Sequence, residues 1–118
     1  MADRESLLAY VREKYGTSPE SLWPRQPRYV VLRHAENGKW YAVLMNVRAR
    51  CLHLPGTGEV DVVNVKSPFA PDMLLSGVAG AFPAYHMNKR HWISLALDGS
   101  FPEEELYRLV DESYLLTR

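Results

Sequence analysis

The run Tyr85-His86-Met87-Asn88-Lys89-Arg90-His91-Trp92 gathers the most chemically capable side chains into the fewest residues of this chain. Lysine and arginine neutralise phosphates, asparagine pairs with the adenine edge, and aromatic rings stack on unpaired bases. The same residues admit a purely structural reading. Asn88 can cap a turn, the histidines can bond to backbone, and Trp92 can pack as a strand residue. Other chemistries find less support. His34, His53, His86 and His91 include no HExxH helix and no cysteine pair, so a metal would need long-range convergence. Pro55-Gly56-Thr57-Gly58 is glycine-rich, but it lacks the trailing Gly-Lys-Ser/Thr of a phosphate loop and a following helix. No serine stands in a G-x-S-x-G elbow. Cys51 follows Arg50 and precedes His53 by two, a setting that favours the thiolate. A deep pocket joining Cys51, His53 and His86 is the feature that would argue for an enzyme. The chain otherwise reads as non-enzymatic, with no metal and no cofactor.

Charge narrows the choice of partner. The 118 residues carry 14 Lys+Arg and 14 Asp+Glu, a formal net charge of zero. That excludes a strongly basic, histone-like binder, but it conceals polarity along the chain. Residues 25–66 are net +4, from Arg25, Arg28, Arg33, Lys39, Arg48, Arg50 and Lys66 against Glu36, Glu59 and Asp61. Residues 84–97 add +2, and residues 98–118 are net −4. An apolar content of 47% argues against disorder, and the length suits a single domain over 1–118. The one cysteine permits no intrachain disulfide, which fits a reducing compartment. The N-terminus lacks the pattern of a signal peptide, and no apolar run approaches a membrane span. The expectation is a cytoplasmic protein, bacterial in style and without a membrane partner; the sequence leaves the oligomeric state open, with a monomer favoured.

The elements that position these residues follow from period and punctuation. Arg4 to Tyr15 predicts a helix, capped by Asp3, stopped by Gly16 and apolar along Leu7, Val11 and Tyr15. Pro19, Pro24 and Pro27 make residues 17–28 an irregular connection. Tyr29–Arg33 and Trp40–Arg48 flank Asn37-Gly38, the signal for a type I′ hairpin. That turn pairs His34 with Tyr41, Leu32 with Val43 and Val30 with Met45. One face is then Val30, Leu32, His34, Tyr41, Val43, Met45 and Val47. The other is Tyr29, Val31, Arg33, Ala35, Trp40, Ala42, Leu44, Asn46 and Arg48. A slip of one residue would exchange the faces. Residues 49–58 read as a loop and Val60–Lys66 as a third strand. Ser67-Pro68 opens a short helix to about Ser76, and residues 81–91 read as a loop. Trp92–Leu97 is a fourth strand, with Ile93, Leu95 and Leu97 on one face. Ser100-Phe101-Pro102-Glu103 is a capping-box pattern at the start of a last helix lined by Leu106, Leu109, Val110 and Ser113. The order α-β-β-β-α-β-α predicts an α+β domain, an antiparallel sheet with helices packed on one side.

Several of these stretches resemble the MmcQ/YjbR-like family. Pro83-Ala84-Tyr85-His86-Met87-Asn88-Lys89-Arg90-His91-Trp92-Ile93 looks like the family's signature loop. Asn64-Val65-Lys66 followed by Pro68 is similar to its Asn-Leu-Lys-Cys-x-Pro segment. Ser113-Tyr114-Leu115-Leu116 resembles its C-terminal Ser-Tyr-x-Leu, and Leu22-Trp23-Pro24 its N-terminal segment. Ser67 stands where the family usually has cysteine, so no thiol role carries over. Phe69-Ala70 replaces an acidic helix start. The resemblance implies a double-wing α+β domain and a DNA-binding role, with Lys66, His86, Asn88, Lys89, His91 and Trp92 as motif positions. It implies no catalytic residue.

Charge and resemblance together give a leading expectation of DNA binding through backbone contacts. The hairpin acts as a wing that carries Arg33, Lys39 and Arg48 to phosphates. The loop from His86 to Trp92, with Lys89 and Arg90, forms the second contact. About six phosphate contacts correspond to a log–log salt slope of roughly −5. The acidic last helix is a poor groove reader. The alternative is a protein-interaction or small-ligand domain with no nucleic-acid role, presenting Trp40 and Tyr29 on a sheet face. Basic side chains scattered over opposite faces would favour that alternative.

Overall fold

Nine short elements build the domain, and a computed structural model describes residues 2–118 of the chain. Helix α1 spans Arg4–Tyr15. The Asp3 carboxylate accepts from the Ser6 amide at 2.9 Å and from its hydroxyl at 2.7 Å, so the first turn is capped as its sequence predicts. Gly16 closes the helix at φ 68°. The strands are β1 (Val30–Arg33), β2 (Trp40–Arg48), β3 (Glu59–Lys66), β4 (Ala81–Pro83) and β5 (Trp92–Ala96). A 3-10 turn follows β2 over Ala49–Leu52, α2 spans Ala70–Leu75, and α3 spans Glu103–Thr117. The five strands form one antiparallel sheet in the order β1-β2-β3-β5-β4.

The β1–β2 hairpin departs from its expected register. Val31 lies opposite Val43 and Leu32 opposite Ala42, but Arg33 lies opposite Trp40. Tyr41 is therefore an extra residue in a bulge. Asn37 keeps a negative φ, so the type I′ turn does not form. A four-residue loop closes instead through His34 N–H to Lys39 O and Gly38 N–H to His34 O, each 2.9 Å, with Gly38 at φ 72°. The bulge turns Tyr41 towards the helices and moves the rest of β2 over by one position. Ala42 and Leu44 then join Leu32, Val63, Val65, Ile93 and Leu95 beneath the helices, where Leu7, Val11, Leu106, Leu109 and Val110 meet them. Val43, Met45 and Val47 pass to the opposite face with Val31 and Val62. The face expected from the hairpin turn is thus exchanged along β2, because an extra residue outweighs the Asn-Gly signal.

Both faces of the sheet are covered. The helices take one. The other, called the loop face below, is roofed by Trp23, Tyr29, Trp40, Leu52, Leu54, Tyr85 and Met87. Full burial of an aliphatic side chain contributes on the order of 1.5–3 kcal/mol, so both clusters matter to stability. Three further readings need correction. Residues 81–83 are a strand rather than loop, too short to show a period, and pair with Leu95, Ser94 and Ile93. Helix α2 begins at Ala70 rather than at Ser67-Pro68. The capping box does not form: α3 starts after Pro102 without a side-chain cap, and the Ser100 hydroxyl bonds to Asp98.

The C-terminal turn of α3 is tied to the hairpin through a buried histidine. The Thr117 hydroxyl donates to Ser113 O at 2.8 Å, so it accepts from His34 Nε2 at 2.8 Å. The imidazole sits 4.3 Å from the Tyr114 ring. Burial holds the pKa of His34 below its ordinary value of 6.5. Protonation therefore favours the unfolded chain. Stability is complete above about pH 6.5 and falls as the pH drops below it. Thermal melts taken from about pH 7.5 down to about 5.5 should show a steeper loss in the native chain than in His34→Gln, which cannot ionise.

Candidate nucleic-acid interface

The loop between β4 and β5 is fixed from below by a closed polar triad. Asn64 on β3 and Ser94 on β5 are cross-strand partners, both fully buried. Asn64 Nδ2 donates to Tyr85 O at 2.9 Å, Ser94 Oγ donates to Asn64 Oδ1 at 2.5 Å, and Tyr85 N–H donates to Ser94 Oγ at 3.0 Å. Both backbone groups of Tyr85 are thus satisfied by the sheet. The next residue, His86, turns outward at φ 60°. Further on, Asn88 Oδ1 accepts from Arg90 N–H at 2.8 Å, and its carbonyl accepts from Trp92 N–H at 2.9 Å. Asn88 therefore serves the turn, as the structural reading anticipates.

Three hollows that share lining residues open on the loop face or at its edge. The first, about 220 Å3, has Val43 and Met45 on its floor and Trp23, Tyr29, Trp40, His86 and Met87 around it. Its rings stand nearly perpendicular: Trp23 to Trp40 at 5.9 Å and 75°, Trp23 to Tyr29 at 6.0 Å and 74°. The second, about 450 Å3, shares His86 with the first and brings in Cys51, His53, Tyr85 and Lys89, so the three residues that would argue for an enzyme do border one hollow, although among the described residues no side-chain hydrogen bond joins them. The third, about 380 Å3, shares Tyr29 with the first and Tyr85 and Cys51 with the second; it adds Arg48, Arg50 and Glu59. Burial raises the pKa of the Tyr29 and Tyr85 phenols, so both stay neutral hydrogen-bonding groups.

Several cations are engaged by carboxylates. Arg33 is held in a two-point pair with Glu20, at 2.6 and 2.7 Å. Arg4 and Arg28 converge on Asp61, Lys14 on Asp111, and Arg108 pairs with Glu105 and Glu112. Among the described residues, Arg48, Arg50 and Lys89 form no ion pair, and all three border the hollows. Glu59 lies at the same rim, with its carboxylate bonded to Asn46 Nδ2 at 3.1 Å.

The expected contact residues are not all brought together. Arg48, His86 and Lys89 meet around the hollows. Lys39 sits on the hairpin loop, and Lys66 pairs in register with Trp92 at the end of β3 far from Arg48. Seven residue steps along the strand separate Lys66 from the Arg48–Glu59 pair, roughly 23 Å. Arg90 and His91 are exposed on the loop but border none of these hollows, and Trp92 is half-buried. Arg50 and Trp23 complete the surface, although the pattern of the sequence did not single either out as a contact. The spacing Arg48-x-Arg50-x-x-His53 was the available signal. A larger hollow of about 670 Å3 near His34 is bordered by Glu20, Glu36 and the engaged Arg33, and does not suit an anion. No group of three or more His, Cys, Asp or Glu among the described residues could hold a metal. No helix is long and apolar enough to cross a membrane.

Comparison with known proteins supplies the lineage. The YjbR family model matches residues 12–116. The chain belongs to the YjbR family. The uncharacterized protein YyaQ of Bacillus subtilis is 44% identical to it over the full length of both chains. The uncharacterized YjbR of Escherichia coli K12 is 42% identical over 48 residues, 41% of each chain. A crystal structure of a Pseudomonas syringae protein matches with a TM-score of 0.90 and 39% identity, covering 98% of this chain and 99% of that one. A Deinococcus radiodurans protein of domain family DUF419 shares the fold, with a TM-score of 0.73 at 21% identity over 98% of this chain and 78% of that one. In this YjbR chain the signature-like loop, residues 83–93, is the one pinned by Asn64 and Ser94.

Proposed function

We propose that the protein is a non-enzymatic DNA-binding module whose contact surface is the loop face of the sheet. One observation carries the reading. Among the described residues Arg48, Arg50 and Lys89 form no ion pair and border hollows walled by Trp23, Tyr29, Trp40, Tyr85 and His86, whereas the other cations without an ion pair, Arg12, Arg25, Lys39, Lys66, Arg90 and Arg118, border none of these hollows. Phosphate binding needs cations that are not already neutralised. The engaged Arg33 is a poor candidate, and Lys39 and Lys66 border none of these hollows. The hairpin tip is therefore not the main contact.

Three phosphate contacts correspond to a log–log salt slope of about −2 to −3, shallower than six contacts would give. Binding of a fluorescent oligonucleotide across salt concentrations reads this directly. The triple variant Arg48→Ala/Arg50→Ala/Lys89→Ala should bring the slope close to zero, while Arg33→Ala/Lys39→Ala should leave it unchanged. Absence of binding by the native chain at low salt sinks the proposal. Loss in the hairpin variant with retention in the triple variant would restore the wing as the contact.

A further inference from the structure

We infer that the DNA held on this face is single-stranded, with a nucleobase seated in the aromatic hollow beside β2. The inference rests on the DNA-binding reading above and specifies its ligand. The hollow's floor is Val43 and Met45, and its walls are Trp23, Tyr29, Trp40, His86 and Met87. An apolar recess lined by rings receives the flat face of an unpaired base, and does so with little regard to sequence. A duplex cannot reach it, because its bases are stacked inside and only their edges and the phosphates are presented.

The charges agree with that occupant. Tyr29 belongs both to the aromatic hollow and to the one bordered by Arg48 and Arg50. His86 belongs both to the aromatic hollow and to the one bordered by Lys89 and His53. A base seated between Tyr29 and His86 therefore has cations on two sides, where the flanking phosphates of a strand would run. Perpendicular rings also form cages for quaternary ammonium groups. Here the rim is basic, so a cationic guest would be repelled while a polyanion is attracted.

The test uses the full chain and four probes: a short mixed-sequence single strand, its duplex, a strand of equal length made of abasic sugar-phosphate, and choline. The single strand should bind at least about tenfold more tightly than the duplex and should quench tryptophan fluorescence, as stacking on Trp23 and Trp40 requires. The abasic strand should lose roughly tenfold to a hundredfold in affinity, the range of one to two stacked bases. His86→Ala should weaken the single strand and leave the abasic strand unaffected. Trp23→Ala can loosen the connection it packs, so the abasic probe asks the same question of the native fold. Equal or tighter binding of the duplex overturns the inference and leaves the DNA-binding reading standing. Equal binding of the abasic strand does the same. Failure of all three strands at low salt removes the underlying reading itself. Binding of choline in place of the single strand overturns both.

Discussion

Asn64→Ala should unfold the domain more readily by about 2–4 kcal/mol, although it removes only one short side chain. The substitution leaves the Tyr85 carbonyl without its donor and the Ser94 hydroxyl without the acceptor of its proton. Both lie under a loop, where an unsatisfied polar group costs about 1–3 kcal/mol. Ser94→Ala likewise breaks two of the three bonds, leaving the Tyr85 amide and Asn64 Oδ1 unpaired while keeping Asn64 Nδ2 on Tyr85 O, and should cost a similar amount. Asn64→Asp separates geometry from polarity. The carboxylate can still accept from Ser94, yet it has no proton for the Tyr85 carbonyl. Urea denaturation with unchanged m values would measure all three. A result in which Asn64→Ala matches the native midpoint would show that the triad does not hold the loop. Oligonucleotide binding should weaken alongside, because Tyr85 and His86 depend on this anchor for their position over the hollows.

The second large effect is expected at Gly80. Its φ is +80°, and a Cβ there would meet the Phe101 amide nitrogen at 2.7 Å and the Phe101 Cβ at 2.8 Å. The obstruction is largely backbone, which cannot rotate away. Phe101 is itself buried at the foot of α3, and the Gly80 carbonyl accepts from Ala96 N–H at 2.8 Å. Gly80→Ala must therefore part the start of β4 from the start of α3. A cost of about 2–4 kcal/mol follows from the clash and the left-handed backbone together. For a domain of this size that lowers the melting temperature by roughly 10 °C. Gly56→Ala is the matched control. Its φ is +101°, but its Cβ would enter open space, so only the backbone term remains. Melts of the two variants side by side separate strain from collision, and equal losses would refute the packing account.

The sequence discloses the elements better than the way they meet. Helix α1 was legible to the residue because Asp3 and Gly16 act locally on their own turns. The inner faces of α3 and β5 were legible because a period of 3.6 or 2 survives in Leu106, Leu109 and Val110, and in Ile93, Leu95 and Leu97. The hairpin was legible as a hairpin but not in register. Tyr41 is drawn out of the ladder by contacts far away in sequence, with its hydroxyl 2.7 Å from Thr17 and its ring beside Tyr15 and Tyr114. No local signal records those partners. The same holds for the interface. The run from Tyr85 to Trp92 announced its chemistry, yet which cations remain available depends on Glu20 meeting Arg33 and Asp61 meeting Arg28. Charge counted along the chain weighs those arginines equally with Arg48, although only the fold neutralises them.

The bridge between Glu20 and Val31 has an effect beyond the connection it anchors. Glu20 N–H and O each bond to Val31, at 3.1 and 2.9 Å, so the outer rim of β1 carries a partner of its own. At the far rim, β4 is three residues long and ends in Pro83, which offers no amide hydrogen. Neither border of the sheet presents a long row of vacant backbone groups to a neighbouring molecule. Such rows are the templates on which strands of different chains zip together into aggregates. The domain is thus blunted against lateral stacking at both ends, and any assembly it enters must be made by side chains.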